Sequence, residues 1–313
     1  MHEAAPPSKT VEAPSGTALP FAALIVANVA LAFGPWFVRL ADTGPVAAGF
    51  WRLALAAPFL AGMAWAAGGR PTRLGRGLWW ALGGAGVAFA ADIASWHLGI
   101  LRTTLANATL FGNTAILMFP IYGFLVARAW PTRGQALALA LATAGAALLM
   151  GRSYQLDARN LAGDLLCLAA GILYTVYFIL MARARESMAP LSSLALSTGA
   201  SVVPLFLIAL ALGERILPNS WGPLVGLALV SQVLGQGCMI YALGQLSPLV
   251  VGLGLLIQPV VAATIGWLAY GETLGLPDLL GAALVAAALV LVRLAQPVAP
   301  AAEKAHLASK EAQ

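Results

Sequence analysis

The sequence contains few charged residues for its length. Of 313 residues, 9% are Asp, Glu, Lys or Arg, whereas 60% are hydrophobic and the mean hydropathy is +0.86. A soluble domain carries about 25% charged residues, because polar side chains have to cover its surface. The shortage of charge therefore excludes a soluble globular protein. It also excludes disorder, except at the two chain ends.

Cysteine is scarce, and the common catalytic motifs are absent. Cys167 and Cys238 both lie in apolar segments without metal-ligand spacing, so we expect core thiols, with no disulfide framework and no metal site. The sequence contains no G-x-x-x-x-G-K-[ST], H-E-x-x-H or G-x-S-x-G motif and no cluster of carboxylates. We therefore expect no catalytic residues, no cofactor and no enzyme activity.

The basic residues stand singly between apolar runs. A net charge of +5 would suggest a nucleic-acid partner for a soluble protein. Because the sequence contains no basic patch, we expect no nucleic-acid partner here. With the N-terminus inside, eleven of the 17 Lys and Arg residues fall in inner segments and five in outer loops. Because basic residues favour cytoplasmic loops, we predict a bacterial inner-membrane protein with both termini in the cytoplasm.

Apolar runs of about 20 residues, enough helix to cross a hydrocarbon core about 30 Å thick, recur along the chain. Residues 1–19 and 297–313 are polar and predict two tails, the first of them disordered and unlike a signal peptide. Between them we predict an all-α integral membrane fold of about ten transmembrane helices. These spans are expected at residues 20–38, 45–67, 77–98, 103–126, 134–151, 161–182, 190–212, 221–243, 246–270 and 277–296.

The pattern of spans repeats after 143 residues. At this displacement the third to fifth spans coincide with the eighth to tenth, and Gly83 meets Gly226. We therefore predict two five-helix repeats, at residues 20–151 and 161–296. Because five is an odd number, the second repeat would be inverted in the membrane. Inverted repeats with a solute site at their interface are typical of transporters.

Several short motifs are similar to those of one transporter family. Residues 96–97 (Trp-His), residues 103–110 (TTLANATL) and Asn113 resemble the fourth-helix signature of EamA-type members of the drug/metabolite transporter superfamily. Residues 258–259 (Gln-Pro) and 271–272 (Gly-Glu) resemble that superfamily's ninth-helix proline and the Gly-Glu that follows it. The resemblance covers about residues 20–296, which is nearly the whole chain.

The resemblance implies a ten-helix carrier that works by alternating access. Exporters of amino acids and related metabolites are prominent in the superfamily, and aromatic amino acids are among their cargoes. Arg52 lies where these proteins commonly carry an arginine. The first repeat departs from the pattern, because Ile116 and Ala129 stand where the proline and the glutamate are expected. Pro120 is then expected to supply the kink of the fourth span.

Two opposite charges lie inside predicted spans, where an ionisable side chain is costly. Arg52 in the second span and Asp92 in the third would both lie in the outer half of the membrane under the predicted orientation. They could form a structural ion pair, or the arginine could extend to the outer headgroups. Alternatively, the two residues could couple transport by handling the solute or a proton.

A central cavity near mid-membrane, lined from both repeats, is the predicted solute site. Amides on an otherwise apolar wall suit a solute with one polar end and one apolar end. The candidate solute-binding residues are Trp96, Asn107, Tyr174, Gln232, Gln236 and Gln258. Their aromatic faces could hold an aromatic or large apolar amino acid, while the amides bond its amino and carboxyl groups. The alternative is that these side chains join neighbouring helices, at about 0.6 kcal/mol each.

The sequence thus predicts a secondary transporter, an exporter of small metabolites such as amino acids, whose partners are its solute and the lipid bilayer. A membrane enzyme acting on lipid is the alternative, but it would need an interfacial cluster of His, Asp or Glu that the sequence does not show. A structural or assembly subunit would need neither buried charges nor duplicated halves. The sequence carries no signal for an oligomeric state.

Overall fold

The computed structural model describes residues 18–69, 74–103, 111–151, 159–270 and 275–294. Within these ranges the regular structure is helical, without strands. The predicted tails lie outside the described residues, apart from residues 18 and 19, which open the first helix.

Twelve helices follow one another in the described parts of the chain. They are α1 (Ala18–Ala32), α2 (Gly34–Leu40), α3 (Pro45–Ala66), α4 (Arg76–Ile100), α5 (Ala115–Ala127), α6 (Arg133–Gly151), α7 (Leu161–Arg185), α8 (Pro190–Ala211), α9 (Gly222–Leu243), α10 (Pro248–Gly254), α11 (Ile257–Tyr270) and α12 (Leu276–Leu294). Six stretches are long and apolar enough to cross a membrane, namely Ala18–Leu40, α3, α4, α7, α8 and α9. Shorter apolar helices are Ala115–Ala127, Pro248–Val261 and Leu279–Val292.

The helices coincide with the predicted spans to within a few residues. The predicted ends at Gly151 and Leu243 and the predicted start at Leu161 are those of the structure, whereas the first helix begins two residues earlier than predicted, at Ala18. The predicted fourth span, residues 103–126, includes residues 104–110, which lie outside the described residues, and its described helix α5 begins at Ala115. An all-helical membrane protein is confirmed, and the count of ten spans stays a prediction.

Proline accounts for two interruptions of the spans. Pro259 has no N–H with which to bond the carbonyl of Leu255, four residues earlier. The helix is interrupted there, between α10 and α11, and the N–H of Gln258 donates to the carbonyl of Leu255 at 3.1 Å. Pro35 has the same effect on the first span, which is interrupted at Phe33 between α1 and α2.

Two further spans are irregular without a proline at the irregular point. Residues 113–114 form a turn before α5, whereas α5 passes through Pro120 without interruption. The irregularity of the fourth span therefore lies six residues before the expected position. In α9, the segment Leu227–Gln236 is π-helical. Such segments occur mostly as short bulges and often mark functional sites.

The helices pack in a limited set of pairs. α4 lies along α7 and α8, α3 along α8, α1 along α9, α5 along α10, and α6 along α12. The α4–α8 crossing is close because Gly86 has no side chain, and a Cβ atom there would lie 2.8 Å from the carbonyl oxygen of Ser197 and 2.5 Å from the Cβ of Ala200. These contacts build one extended buried core through both halves of the chain.

The loop after α8 is tied to the start of α3. Val46 and Ala47 donate their backbone N–H groups to the two carboxylate oxygens of Glu214, at 3.3 and 2.7 Å. The indole N–H of Trp51 donates to the carbonyl of Ile216 at 2.7 Å. Because the first N–H groups of a helix have no partner within it, a carboxylate at this position stabilises the start of α3.

Candidate functional site

A cavity of about 190 Å³ lies between the two halves of the chain. Six of the eight predicted site residues line it, together with apolar side chains. These six are Arg52, Asp92, Trp96, Tyr174, Gln236 and Gln258. The structure thus brings residues from α3, α4, α7, α9 and α11 to one space, and a role for each in solute binding stays a prediction.

The cavity lies where the spans are irregular. Gly34 and Pro35 line it at the break in the first span, Asn113 at the turn before α5, Leu227 at the π-helical segment, and Pro259 after the break in the ninth predicted span. Irregular helices leave backbone groups without helical partners, and in membrane proteins such backbone is tolerated where it lines a cavity or is buried in protein. The coincidence of cavity and breaks is therefore expected of a solute site.

Two predicted site residues do not line this cavity in the described structure. Asn107 lies outside the described residues. Gln232 is fully buried and lies behind Arg52. Its spacing of four from Gln236 predicts a shared face in an α-helix, but both residues belong to the π-helical segment, whose hydrogen bonds run from i to i+5. Of the two residues, only Gln236 lines the cavity.

Arg52 is held from behind by a chain of two hydrogen bonds. Its Nε–H donates to Oε1 of Gln232 at 3.0 Å, and the Nε2 of Gln232 donates to the hydroxyl oxygen of Thr198 at 3.0 Å. The guanidinium carbon also lies 5.6 Å from the ring centroid of Phe89, within the range of a cation–π contact. The chain joins α3 to α9 and α8 and fixes the direction of the guanidinium plane.

Asp92 shares the cavity with Arg52 but forms no direct ion pair with it. Within the described residues, the Asp92 carboxylate has neither a hydrogen bond nor an ion pair, although the two charges are close enough to attract each other. The expected pair is therefore an electrostatic coupling across the cavity. Each charge keeps polar atoms available to a third group.

The amides on the cavity wall are partly satisfied by neighbouring helices. The Nε2 of Gln236 donates to the hydroxyl of Tyr174 at 3.3 Å, whereas its Oε1 is buried without a hydrogen-bond partner. The Nε2 of Gln258 donates to Oδ1 of Asn28 at 2.9 Å, and the Nδ2 of Asn28 donates to the carbonyl of Leu24 at 2.8 Å. Both predicted roles, solute contact and interhelical bonding, are thus compatible with these positions.

Three aromatic or polar residues on the wall were not among the predicted site residues. Phe89 lies seven residues before Trp96 on the same face of α4, and this helical spacing could have identified it. His97 lines the cavity, and its Nδ1 lies within hydrogen-bond distance of the carbonyl oxygen of Pro45, at 2.6 Å. Asn113 lies on the wall because of the turn before α5, and the sequence gives no signal for that turn.

Aromatic rings close the space beside the cavity. Tyr174 lies 4.3 Å from Phe178 between ring centroids, Phe89 lies 4.6 Å from Tyr177, and Phe119 lies 5.3 Å from Phe178. Tyr177, Phe178 and Phe119 are fully buried. This aromatic layer makes a dense wall between the cavity and the part of the bundle near the end of α7.

Among the described residues, His, Cys, Asp and Glu side chains form no group of three or more that could hold a metal ion. Arg52 and Asp92 bring groups of opposite charge to the cavity.

The fold and part of the sequence match known proteins. Residues 161–294 match the EamA-like transporter family. No curated protein matches the sequence, whereas 29 chains of solved structures match the fold. One of them, a protein crystal structure, superimposes with a TM-score of 0.73 over 90% of this chain and 98% of its own, at 15% sequence identity, which shows similarity of fold alone. The match over residues 161–294 is to a family of the drug/metabolite transporter superfamily, the superfamily that the sequence motifs resemble.

Proposed function

We propose that the chain is a secondary transporter that carries a small organic solute through the cavity by alternating access. The observation that carries this proposal is the position of the cavity at four irregular spans, with polar groups contributed by both halves of the chain. A lipid-exposed enzyme site or a structural subunit has no need of a cavity between the two halves with polar groups from both. Export of amino acids or related metabolites is the direction and class that we infer from the family.

The helix bounds support two repeats. The bounds of α12 are those of α6 displaced by 143 residues, and at the same displacement the turn at residues 113–114 falls within one residue of the break at residues 255–256. Under this displacement α4 corresponds to α9 and the first span to α7. The contacts of α4 with α7 and of α9 with α1 are then equivalent, as a two-fold relation between repeats requires. We therefore propose two five-helix inverted repeats, at residues 20–151 and 161–296.

The distribution of polar groups supports a solute with unlike ends. Arg52, Asp92 and the Gln236 amide supply charge and hydrogen bonds, whereas Trp96 and Phe89 present aromatic faces to the same space. An amino acid with an aromatic or large apolar side chain satisfies both sets of groups. The cavity volume of about 190 Å³ suits a small molecule.

The proposed orientation places the Arg52 and Trp96 side of the cavity in the outer half of a bacterial inner membrane. Arg52 lies near the start of α3 and Trp96 near the end of α4, the ends that the distribution of basic residues assigns to the outside. The aromatic layer around Phe178 would then separate the cavity from the cytoplasm. Transport requires this layer to part and the opposite end to close.

Counterflow in proteoliposomes tests the function. Vesicles that contain the purified protein are loaded with unlabelled L-phenylalanine or L-leucine, and uptake of the same radiolabelled amino acid is measured without an imposed ion gradient. We expect a transient accumulation of label that empty vesicles lack. Absence of exchange with every member of a full amino-acid panel, by protein that is shown to be folded, would contradict the proposed substrate class.

A further inference from the structure

We infer that Arg52 binds the carboxylate of the transported solute, and that Gln232 and Thr198 position Arg52 without touching the solute. The inference rests on the proposed transport function and names the chemistry that the same cavity recognises. It reassigns Gln232 from the cavity wall to the support of a charged group.

In the described structure, the side chains of Gln232 and Thr198 form no hydrogen bonds other than those of this hydrogen-bonded chain with Arg52. Gln232 and Thr198 are 0% and 1% exposed, and neither lines the cavity. Oε1 of Gln232 accepts from Arg52, and its Nε2 donates to Thr198. A side chain that receives the guanidinium and is itself fixed by a third residue holds a long, flexible arginine in one direction. Such preorganisation lowers the entropy lost on binding a solute.

The guanidinium of Arg52 has donors left for a further partner. A guanidinium carries five N–H donors in a planar fork, and within the described residues only the bond from Nε to Gln232 is formed by Arg52. Since Arg52 lines the cavity, the remaining donors are available there. Two parallel N–H groups match the oxygens of a carboxylate or a phosphate.

The acceptors in the same cavity select between these two anions. The Asp92 carboxylate has no hydrogen-bond or ion-pair partner among the described residues, and Oε1 of Gln236 is buried without one. Both would repel a phosphate dianion, whereas both can accept N–H bonds from an ammonium group. A solute with an ammonium next to its carboxylate satisfies Arg52 on one side and Asp92 with Gln236 on the other. The geometry therefore assigns an α-amino carboxylate zwitterion to this cavity.

The absence of a direct Arg52–Asp92 pair is essential to this assignment. If the two side chains formed a direct ion pair, each would occupy the hydrogen-bonding atoms of the other. The solute would then have to break a buried pair in order to bind. Because Gln232 draws the Nε of Arg52 away, both charges stay open. Gln232 thereby leaves Arg52 and Asp92 available to bind the solute.

The test compares each amino acid with its amide, in which an uncharged carboxamide replaces the carboxylate. L-phenylalaninamide and L-leucinamide compete against labelled L-phenylalanine and L-leucine in the counterflow assay. For the wild type we expect the amides to compete at least tenfold more weakly. In Gln232→Ala we expect the half-saturating concentration of the amino acid to rise about tenfold with a nearly unchanged maximal rate, and the preference for acid over amide to fall to about twofold or less.

A matched pair of variants separates positioning from packing. Thr198→Ser keeps the hydroxyl that accepts from Gln232, whereas Thr198→Val keeps the shape and removes it. Thr198→Ser should behave like the wild type, and Thr198→Val should reproduce the loss of acid preference seen in Gln232→Ala. Equal behaviour of the two variants, or an unchanged acid preference in Gln232→Ala, would overturn the positioning role. Equal competition by acid and amide in the wild type would overturn the carboxylate site.

Binding measured without transport separates this inference from the proposed function. The melting temperature of the purified protein is recorded with each amino acid and each amide at equal concentrations. Stabilisation by the amino acids but not by the amides supports the carboxylate site even if counterflow fails, in which case the transport proposal alone is wrong. Equal stabilisation by acid and amide, or stabilisation by neither, contradicts the inference.

Discussion

Arg52 donates its Nε–H to Gln232 at 3.0 Å, while Asp92 faces the same cavity without a direct ion pair to Arg52. The second predicted span is thereby tied to the eighth, and two opposite charges are held apart in one space. Because the two charges are not in contact, removing either of them should have a different effect on stability from breaking a direct ion pair.

The two charges should be coupled, but more weakly than a joined pair. Removing one partner of a direct buried pair costs about 3–5 kcal/mol. For Arg52→Gln, Asp92→Asn and the double variant, we expect a coupling free energy of unfolding of about 1 kcal/mol, because the charges attract across the cavity without contact. Thermal unfolding in detergent measures it. Arg52→Gln combined with Asp164→Asn is the control, since Asp164 lies outside the cavity, and those two effects should add. Additivity of the Arg52 and Asp92 effects as well would contradict the coupling.

A single methyl group at the α4–α8 crossing should destabilise the protein. A Cβ at Gly86 would lie 2.8 Å from the carbonyl oxygen of Ser197, whereas a Cβ at Gly83 on the same helix has nothing within 4 Å. Overpacking of this kind costs about 1–3 kcal/mol. Gly86→Ala should therefore lower the melting temperature, and Gly83→Ala should leave it unchanged or raise it slightly. If both variants unfold at the same temperature, the crossing is not as close as described.

Glu214 should stabilise the start of α3 through its charge and its hydrogen bonds. Loss of a helix cap costs about 0.5–2 kcal/mol. Because the side chain accepts from Val46 and Ala47, Glu214→Ala should lower the free energy of unfolding by about that amount. Glu214→Gln keeps an acceptor oxygen without the negative charge, so an intermediate loss is expected. A melting temperature for Glu214→Ala equal to that of the wild type would show that this contact contributes nothing.

Much of the fold follows from the sequence, because lipid requires long apolar helices and the charged loops between them are easy to locate. The start of α7 at Leu161 and the end of α9 at Leu243 show this directly. The site was harder to predict, since it depends on departures from regular helix. The break before Pro259 follows from a missing N–H, but the π-helical segment that contains Gln232 and Gln236 has no such local cause. A three-dimensional arrangement was required to distinguish the residue that faces the cavity from the one that supports it.

The orientation can be tested independently of transport. In a background of Cys167→Ser and Cys238→Ser, Arg73→Cys should resist an impermeant thiol reagent in intact cells, because the basic loops predict that this segment is cytoplasmic. Ser220→Cys, on an exposed loop at the opposite end of the bundle, is the positive control and should react. Efficient labelling of Arg73→Cys from outside, with Ser220→Cys unlabelled, would require the orientation to be reversed.

The most direct test of the account is a comparison of two tryptophans of α4 in the counterflow assay. Trp96 lines the cavity, whereas Trp80 is 80% exposed on the outer surface of the bundle. Loss of an aromatic contact to the solute removes about 1.4 kcal/mol, which is a factor of about ten in affinity. We expect Trp96→Ala to raise the half-saturating concentration of L-phenylalanine about tenfold with wild-type folded yield and melting temperature, and Trp80→Ala to transport like the wild type. If Trp96→Ala transports normally and loses only stability, the cavity is a packing defect and not the path of the solute.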